Sequence, residues 1–333
     1  MDVLNHFYNH ESDVMLGAYK GPFGRDRKST PPGAGWLTGP YVPDLIAHSS
    51  NPVKNSQQVG DAVQVYRTAL AGAKDHSVAI AAIGFATNLH ALLLSPADDI
   101  SPLDGRALVA RKVRSVTWQG GWYSGRHIRK ELAQRVAEDE FNWGCGRRWF
   151  GPSLEGCEGT ASAAIKLVPS NVQQVFSEVG LFFPTGGPLL QCTTEDNPCR
   201  RALTTTLTDW GQNPADGRAS WDQLVTLIAV RGVENAGAHR RGVGGTNVVQ
   251  ADGTNSWSMK VDSNHSYVVM DGDEAWTKQL QAAPDWEALD PEFKLQRQYN
   301  DVSFGRAPST FAEMQSEINR LLCLPPVGKP VGG

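Results

Sequence analysis

Strand-like and helix-like segments alternate between residues 59 and 121, and this alternation restricts the folds open to the chain more than any other feature. The segment "VGDAVQVYRTALAGAK" spaces Val63, Val65, Tyr66 and Leu70 as on one side of a helix. "SVAIAAIG" follows as an almost unbroken apolar run, which predicts a strand buried on both faces. "ATNLHALLLS" and "RALVARKV" predict two more helices, and "RSVTWQGG" predicts a second strand. Units that alternate in this way predict an α/β fold around a parallel sheet.

The rest of the chain continues this pattern and then changes. "TASAAIKLVP" predicts a helix, "VQQVFSEVG" a strand, and residues 198–209 and 220–230 two more helices. "NVVQADGTNSWSMKVDSNHSYVVMD" has the polar turns of an antiparallel hairpin, and "AEMQSEINRLLCL" predicts a closing amphipathic helix. We therefore interpret residues 1–325 as one α/β domain with a small antiparallel C-terminal appendage, and residues 326–333 as a flexible tail.

Charge and hydropathy exclude several classes of partner. The chain of 333 residues has 31 Lys and Arg against 35 Asp and Glu, so no strong positive field attracts nucleic acid or an anionic membrane. Its apolar runs are far shorter than the roughly 20 residues that cross a bilayer. The first residues lack the pattern of a signal peptide, whereas the sequon at Asn264 hints at secretion. These features predict a soluble protein, with a cytoplasmic location slightly favoured over a secreted one.

Five cysteines occur without any C-x-x-C spacing, which disfavours a zinc site. Cys192 and Cys199 bracket a turn-like segment that a disulfide could close, and Cys145 and Cys157 bracket a loop in the same way. Reduced, buried thiols fit the sequence equally well.

Three short segments carry polar groups that suit a ligand site, and each also has a simpler structural explanation. If "EFN" is extended, Glu140 and Asn142 point to one side and could hold neighbouring sugar hydroxyls, although the segment taken alone favours two solvated loop residues. Asp222 follows Ser220, which fits a helix N-cap paired with Gln223, so it either complements the helix dipole or binds a metal ion. Ile83 precedes a glycine at the carboxyl end of a strand, where a backbone carbonyl could coordinate a hard cation.

Other motifs associated with catalysis are missing from the sequence. It contains no G-x-S-x-G, no G-x-x-x-x-G-K-[ST] and no H-E-x-x-H. The glycine-rich "GVGGTN" at 242–247 is most simply a turn, because no buried strand precedes it and no helix follows it.

Taken in order, "AIGFATNL", "EFN", "FSEVG" and "WDQLVTLIAVRG" resemble the inosine-uridine preferring nucleoside hydrolases, particularly their divergent nucleoside-hydrolase-like branch. The resemblance covers about residues 2–270 and rests on the order and spacing of these segments. It implies a doubly wound, mostly parallel α/β sheet, a calcium ion in the pocket, and hydrolysis of a ribonucleoside to ribose and base, a step of nucleoside catabolism.

The resemblance also implies roles for individual residues. Glu140 and Asn142 match the pair that holds the ribose hydroxyls, Asp222 matches the distal calcium carboxylate, and Ile83 matches the residue that lends a backbone carbonyl to the ion. Trp221 stands where the family often has a histidine that donates a proton to the leaving base, so its indole is expected to stack on the base instead.

The family's N-terminal aspartate cluster, D-x-D-x-x-x-D-D, has no counterpart in residues 1–30. That cluster supplies the catalytic base and most calcium ligands, and calcium takes about 6 to 8 oxygens. We therefore expect no tight calcium site and little or no hydrolase activity, so the catalytic residues are unknown. The alternative function is a non-catalytic module that binds a nucleoside or sugar, or a structural assembly subunit.

In the family the first strand lies inside the sheet, so its absence would expose the neighbouring strands. Three explanations follow, in decreasing order of preference: a truncated or mis-started sequence, a fragment completed by another chain, or a remodelled pseudoenzyme. A homo-oligomer also remains open. The charged insertion "SGRHIRKELAQRVAED" at 124–139 is expected to be an extra, solvated helix.

Overall fold

The computed structural model describes residues 1–10, 13–21, 39, 41–50, 52–121, 140–147, 155–177, 184–259, 263–269 and 311–326. The insertion at 124–139 and most of the tail predicted at 326–333 lie outside these ranges. The helices are α1 (Asp2–Phe7), α2 (Tyr41–His48), α3 (Ala62–Gly72), α4 (Thr87–Leu94), α5 (Gly105–Lys112), α6 (Thr160–Leu167), α7 (Leu189–Cys192), α8 (Pro198–Asp209), α9 (Trp221–Arg231) and α10 (Phe311–Leu322). The strands are β1 (Gly17–Ala18), β2 (Gly60–Asp61), β3 (Val78–Ala82), β4 (Val113–Gln119), β5 (Gln173–Ser177), β6 (Pro184–Thr185), β7 (Arg218–Ala219), β8 (His239–Arg241), β9 (Thr246–Val249), β10 (Asn255–Ser258) and β11 (His265–Val269).

A five-stranded sheet in the order β3-β4-β5-β11-β8 forms the centre of the molecule. The pairs β3–β4, β4–β5 and β5–β11 are parallel, and β8 joins β11 in the antiparallel sense. The protein is therefore an α/β protein with a mostly parallel central sheet, as the alternation in the sequence predicted.

Helices cover both faces of this sheet because consecutive strand residues point to opposite sides. On one face, the helices α3 to α6 contribute leucines such as Leu89 and Leu108 to a core that includes Trp118 and Phe176. On the other face, α9 and α10 pack Ile228 and other apolar side chains against Val175 of β5 and Val268 of β11.

Two of the helices that pack on the central sheet, α3 and α5, begin at an aspartate that caps the helix. Asp61 accepts from the backbone N–H groups of Val63 and Gln64 at the start of α3, and Asp104 accepts from Ala107 at the start of α5. None of the described helices is both long enough and apolar enough to cross a bilayer.

Where the structure describes them, the helices and strands predicted from residue 59 to residue 258 are confirmed in position, and so is the final amphipathic helix α10. Two predictions about strands are wrong. β3 is only half-buried apart from Ile80, because within the described residues it is an edge strand rather than an interior one. The appendage is smaller than expected, since β9 and β10 form the hairpin while β11 enters the central sheet between β5 and β8.

Two disulfide bonds link four of the five cysteines. Cys145 is bonded to Cys157, so for this pair the disulfide is confirmed and the alternative of two reduced thiols is wrong. Cys192 is bonded to Cys323 of the segment that follows α10, so the disulfide with Cys199 that the sequence left open is not formed. Cys199 is a free thiol whose pKa is raised by burial.

A buried arginine on α3 organises the loop between α4 and α5. The side chain of Arg67 is 1% exposed and forms a two-point ion pair with Asp98, in which Nε and Nη2 each lie 2.7 Å from a carboxylate oxygen. Nη2 also donates to the backbone carbonyls of Ser101 and Leu103, at 3.1 Å and 2.9 Å. Nη1 donates to the hydroxyl of Ser95 at 3.0 Å, so all three guanidinium nitrogens are engaged.

Candidate functional site

Glu140 and Asn142 lie at the carboxyl edge of the central sheet, directly beyond β4. Gly120 follows β4 with a φ of 137°, and a Cβ atom there would come within 2.8 Å of the Glu140 carboxyl carbon. The side-chain amide of Asn142 donates to the side-chain carbonyl of Gln119, the last residue of β4. Glycine at position 120 is therefore what allows Glu140 to lie against this strand end.

The "EFN" segment is a turn, so the extended conformation considered for it is not adopted. The backbone carbonyl of Glu140 accepts a hydrogen bond from the N–H of Gly144 at 2.7 Å, and Oε2 of Glu140 accepts from the N–H of Trp143 at 2.9 Å. The chain then reaches Cys145, whose positive φ and disulfide to Cys157 keep the segment folded back. Glu140 and Asn142 are thus held by local hydrogen bonds rather than by the alternation of a strand.

Phe141 points toward the neighbouring strand end. Its ring centroid lies 5.7 Å from that of Phe85, which follows β3 by a few residues. Ile83 lies at the end of the same strand and is 40% exposed. The ends of β3 and β4 and the turn at 140–147 therefore form one continuous surface.

The direction of α9 brings Asp222 to this same edge. Nη2 of Arg114, near the start of β4, donates to the carbonyl of Ala229 at 3.0 Å, which fixes the C-terminal part of α9 at the amino end of the strands. The helix α9 packs on β3 and β4. Because its C-terminal part lies at the amino ends of these strands, it runs antiparallel to them and begins at their carboxyl ends. The structure therefore places all five predicted site residues at one edge of the sheet: Ile83, Glu140, Asn142, Trp221 and Asp222.

The start of α9 is held differently from the prediction. Ser220 makes no side-chain cap to the helix, so the expected capping box with Gln223 is wrong. Its hydroxyl lies 2.6 Å from the hydroxyl of Thr185 in β6 and is fully buried. The serine therefore fixes the position of α9 against a neighbouring strand and leaves the first turn of the helix open.

The carboxyl group of Asp222 has an unusual protonation equilibrium. Water reaches its side chain, but the surrounding protein removes enough hydration to raise its pKa from 3.8 to about 6, and the nearby Arg218 lowers it in part. The Arg218 guanidinium lies 4.5 Å from the ring centroid of Trp210 and 5.7 Å from that of Trp221. Trp221 therefore shares the Arg218 guanidinium with a second aromatic ring, that of Trp210.

Sequence reasoning missed two buried polar atoms next to this surface. Oδ1 of Asn88 in α4 and Oγ of Ser177 at the end of β5 find no hydrogen-bond partner within the described residues. Asn88 follows β3 in "ATNL", and Ser177 ends β5 in "FSEVG". Their position at a strand end is the signal in the sequence that could have identified them. A buried polar atom without a partner costs about 1–3 kcal/mol, which a ligand or water could recover.

The described residues do not supply a full calcium site. No group of three or more His, Cys, Asp or Glu side chains suited to a metal occurs among them. The oxygens at this edge, chiefly the Asp222 carboxylate and the Ile83 carbonyl, fall short of the about 6 to 8 that calcium takes. The calcium roles of Asp222 and Ile83 stay predictions.

Comparison of the chain with protein families, with curated proteins and with solved structures finds no match.

Substitution of Asp222 by asparagine is expected to stabilise the protein only above mildly acidic pH. The folded state holds the carboxyl proton more tightly than the unfolded state does, so ionisation destabilises the fold progressively between pH 3.8 and about 6. After a discount for solvent screening, the gain at pH 7.5 is about 1 kcal/mol, and it should vanish near pH 4. Urea unfolding at the two pH values measures it.

The matched control is Asp99→Asn, which alters an exposed carboxylate in the loop before α5. It should leave the unfolding free energy unchanged at both pH values. A gain for Asp222→Asn that is equal at pH 4 and pH 7.5 would show that the carboxyl is not perturbed as described.

Proposed function

We propose that this chain is a divergent relative of the inosine-uridine preferring nucleoside hydrolases that binds a ribonucleoside at the carboxyl edge of its central sheet, with hydrolysis weak or absent. The observation that carries the proposal is the direction of α9. It brings Asp222 and Trp221 to the edge occupied by Ile83, Glu140 and Asn142, which are far apart in the sequence. Carboxyl edges of parallel strands are also where open α/β sheets bind ligands.

The polar groups at this edge suit the hydroxyls of a ribose. A carboxylate has about four acceptor positions, so Glu140 can accept from a sugar hydroxyl while Oε2 also accepts from the N–H of Trp143. Asn142 is 8% exposed and its amide is directed to Gln119, so its part is to hold the turn and offer its carbonyl. Ser177 and Asn88 would gain partners from a bound polyol.

The proposal of weak or absent hydrolysis rests on the chemistry of two residues. Trp221 cannot titrate and therefore cannot protonate a leaving base. Asp222 belongs to no group of three or more metal-ligating side chains among the described residues, and calcium takes about 6 to 8 oxygens. An aromatic ring at position 221 instead suits stacking on a nucleobase.

Calorimetric titration with inosine, uridine and free ribose tests the binding function. We expect saturable binding of a nucleoside, and about a tenfold loss of affinity in Glu140→Gln, because a neutral amide replaces a charged acceptor. Asp99→Asn serves as the matched control, with unchanged affinity. Absence of saturable binding by either nucleoside or ribose at millimolar concentration would refute the proposal.

Release of reducing sugar from inosine and uridine, with calcium added, tests the catalytic part separately. We expect no turnover above the uncatalysed rate. Clear turnover that is lost in Asp222→Ala would show that the chain is an active hydrolase and would contradict the proposed impairment, while leaving the binding site in place.

A further inference from the structure

A cavity of about 350 Å³ lies at the opposite edge of the sheet from the candidate site, at the amino ends of the strands. Its floor is formed by residues that pair across β4 and β5, namely Ser115 opposite Gln173 and Thr117 opposite Val175. Its wall is the C-terminal part of α9. The volume is at the lower end of the range of about 300–1,000 Å³ typical of small-molecule sites.

Two arginines converge on this cavity from different strands. Arg114 is the second residue of β4, and Arg240 lies in β8, two strands beyond β5 in the sheet. Nη1 of Arg240 nevertheless reaches the side-chain carbonyl of Gln173 at 3.3 Å. Because Gln173 is paired with Ser115, the residue next to Arg114, both guanidinium groups face the same part of the floor.

The charge around the cavity is unbalanced toward the positive. No Asp or Glu is among the described residues that line it. Within the described ranges, Arg240 has one carboxylate partner, Glu234, whose side chain is 65% exposed and lies 2.9 Å from Nε. Arg114 has no carboxylate partner in the described part of the chain and donates through Nη2 alone, to the carbonyls of Ala229 and Val230.

Each guanidinium therefore has donors left over beside a polar floor. Arg114 uses Nη2 for the carbonyls of α9, so its Nε and Nη1 remain as donors. Arg240 uses Nε for Glu234 and Nη1 for Gln173, so its Nη2 remains. Planar guanidinium groups bind carboxylate and phosphate oxygens through two parallel hydrogen bonds, which are stronger than bonds between neutral groups. Thr117 and Asn171 add neutral polar groups to the lining.

We propose that this cavity is a binding site for a small phosphate-type oxyanion, held between Arg114 and Arg240. Two guanidinium groups can neutralise a dianion, whereas a neutral sugar would leave them unsatisfied. The cavity also has room for the organic part of a phosphate monoester. The site is separate from the candidate nucleoside site, because the two lie at opposite ends of the strands.

The test is calorimetric titration of the whole chain with inorganic phosphate and with phenyl phosphate, at constant ionic strength maintained with sodium chloride. We expect saturable binding of at least one of them, and a loss of at least about tenfold in affinity in Arg114→Met and in Arg240→Met. Arg111→Met is the matched control, because Arg111 is exposed, pairs with Asp75 and lies outside the cavity. Glu140→Gln should bind phosphate normally.

The two ligands distinguish the source of the oxyanion. Tighter binding of phenyl phosphate would show that the cavity also holds an organic group, and tighter binding of inorganic phosphate would identify the free ion. Equal affinities in the wild type and both cavity variants, or no saturable binding of either ligand, would overturn the proposal. Arg114→Lys provides a second test if Arg114→Met does not fold. Lysine keeps the charge but not the planar guanidinium, so the affinity should be lower than that of the wild type, by less than the roughly tenfold loss expected for methionine.

Discussion

Replacement of Arg67 by methionine is expected to lower the free energy of unfolding by about 3 kcal/mol. The guanidinium is almost fully buried, and its loss removes the donor to the carbonyl of Leu103, whereas the carbonyl of Ser101 keeps the backbone N–H of Asp98. Asp98 loses a two-point ion pair, but its side chain is 36% exposed and can regain hydration, which keeps the cost at the low end of the range for a buried pair. Chemical denaturation followed by circular dichroism measures the change.

Arg111→Met is the matched control for this prediction. Arg111 also pairs with an aspartate, Asp75 at 3.0 Å, but the two side chains are 59% and 48% exposed. Exposed pairs contribute about 0–1 kcal/mol, so this variant should stay close to wild type. Equal losses in Arg67→Met and Arg111→Met would contradict the idea that burial makes the Arg67 network strong.

Replacement of both Cys192 and Cys323 by serine is expected to cost about 3–5 kcal/mol under non-reducing conditions. The bond links residues separated by 131 positions, so its loss frees a long loop in the unfolded chain. The Cys145–Cys157 bond spans only 12 positions, and its removal should cost about 1–2 kcal/mol less. Thermal unfolding of the two double variants gives the comparison.

Peptide mapping without reduction provides the independent control. A peptide pair containing Cys192 and Cys323 is expected, with Cys199 recovered as a free thiol. A Cys192–Cys199 pair would contradict the structure and return the chain to the pairing suggested by the sequence alone. Cys199→Ser should not change the cost of removing Cys192 and Cys323.

The sequence predicted those elements whose signal is local. The helical spacing of Val63, Tyr66 and Leu70 and the apolar run from residue 77 identify α3 and β3 because periodicity reflects burial over a few turns. Choice of partner is not local. The strand β11 carries hairpin-like neighbours, but His265 pairs with Gln174 on β5, a partner that turn residues nearby do not encode.

The candidate site shows the same division. The identities of Glu140, Asn142 and Asp222 could be selected from residue chemistry, and the direction of α9 placed them together. The conformations of Glu140 and Asn142 could not be predicted from nearby residues, because Gln119 at the end of β4 and Gly120 after it shape the turn at 140–147. The hydroxyl of Ser220 likewise binds Thr185, 35 residues earlier, instead of the expected local cap.

The position of β11 also bears on how the chain acquires its fold during synthesis. β11 is the last of the described strands in the sequence, yet it lies between β5 and β8. While residues before 263 leave the ribosome, β5 has no partner on that side, and its backbone groups and the apolar Val175 and Phe176 remain open to other chains. Pairings between segments this distant form slowly. Nascent chains should therefore rely on chaperones until β11 emerges and completes the sheet.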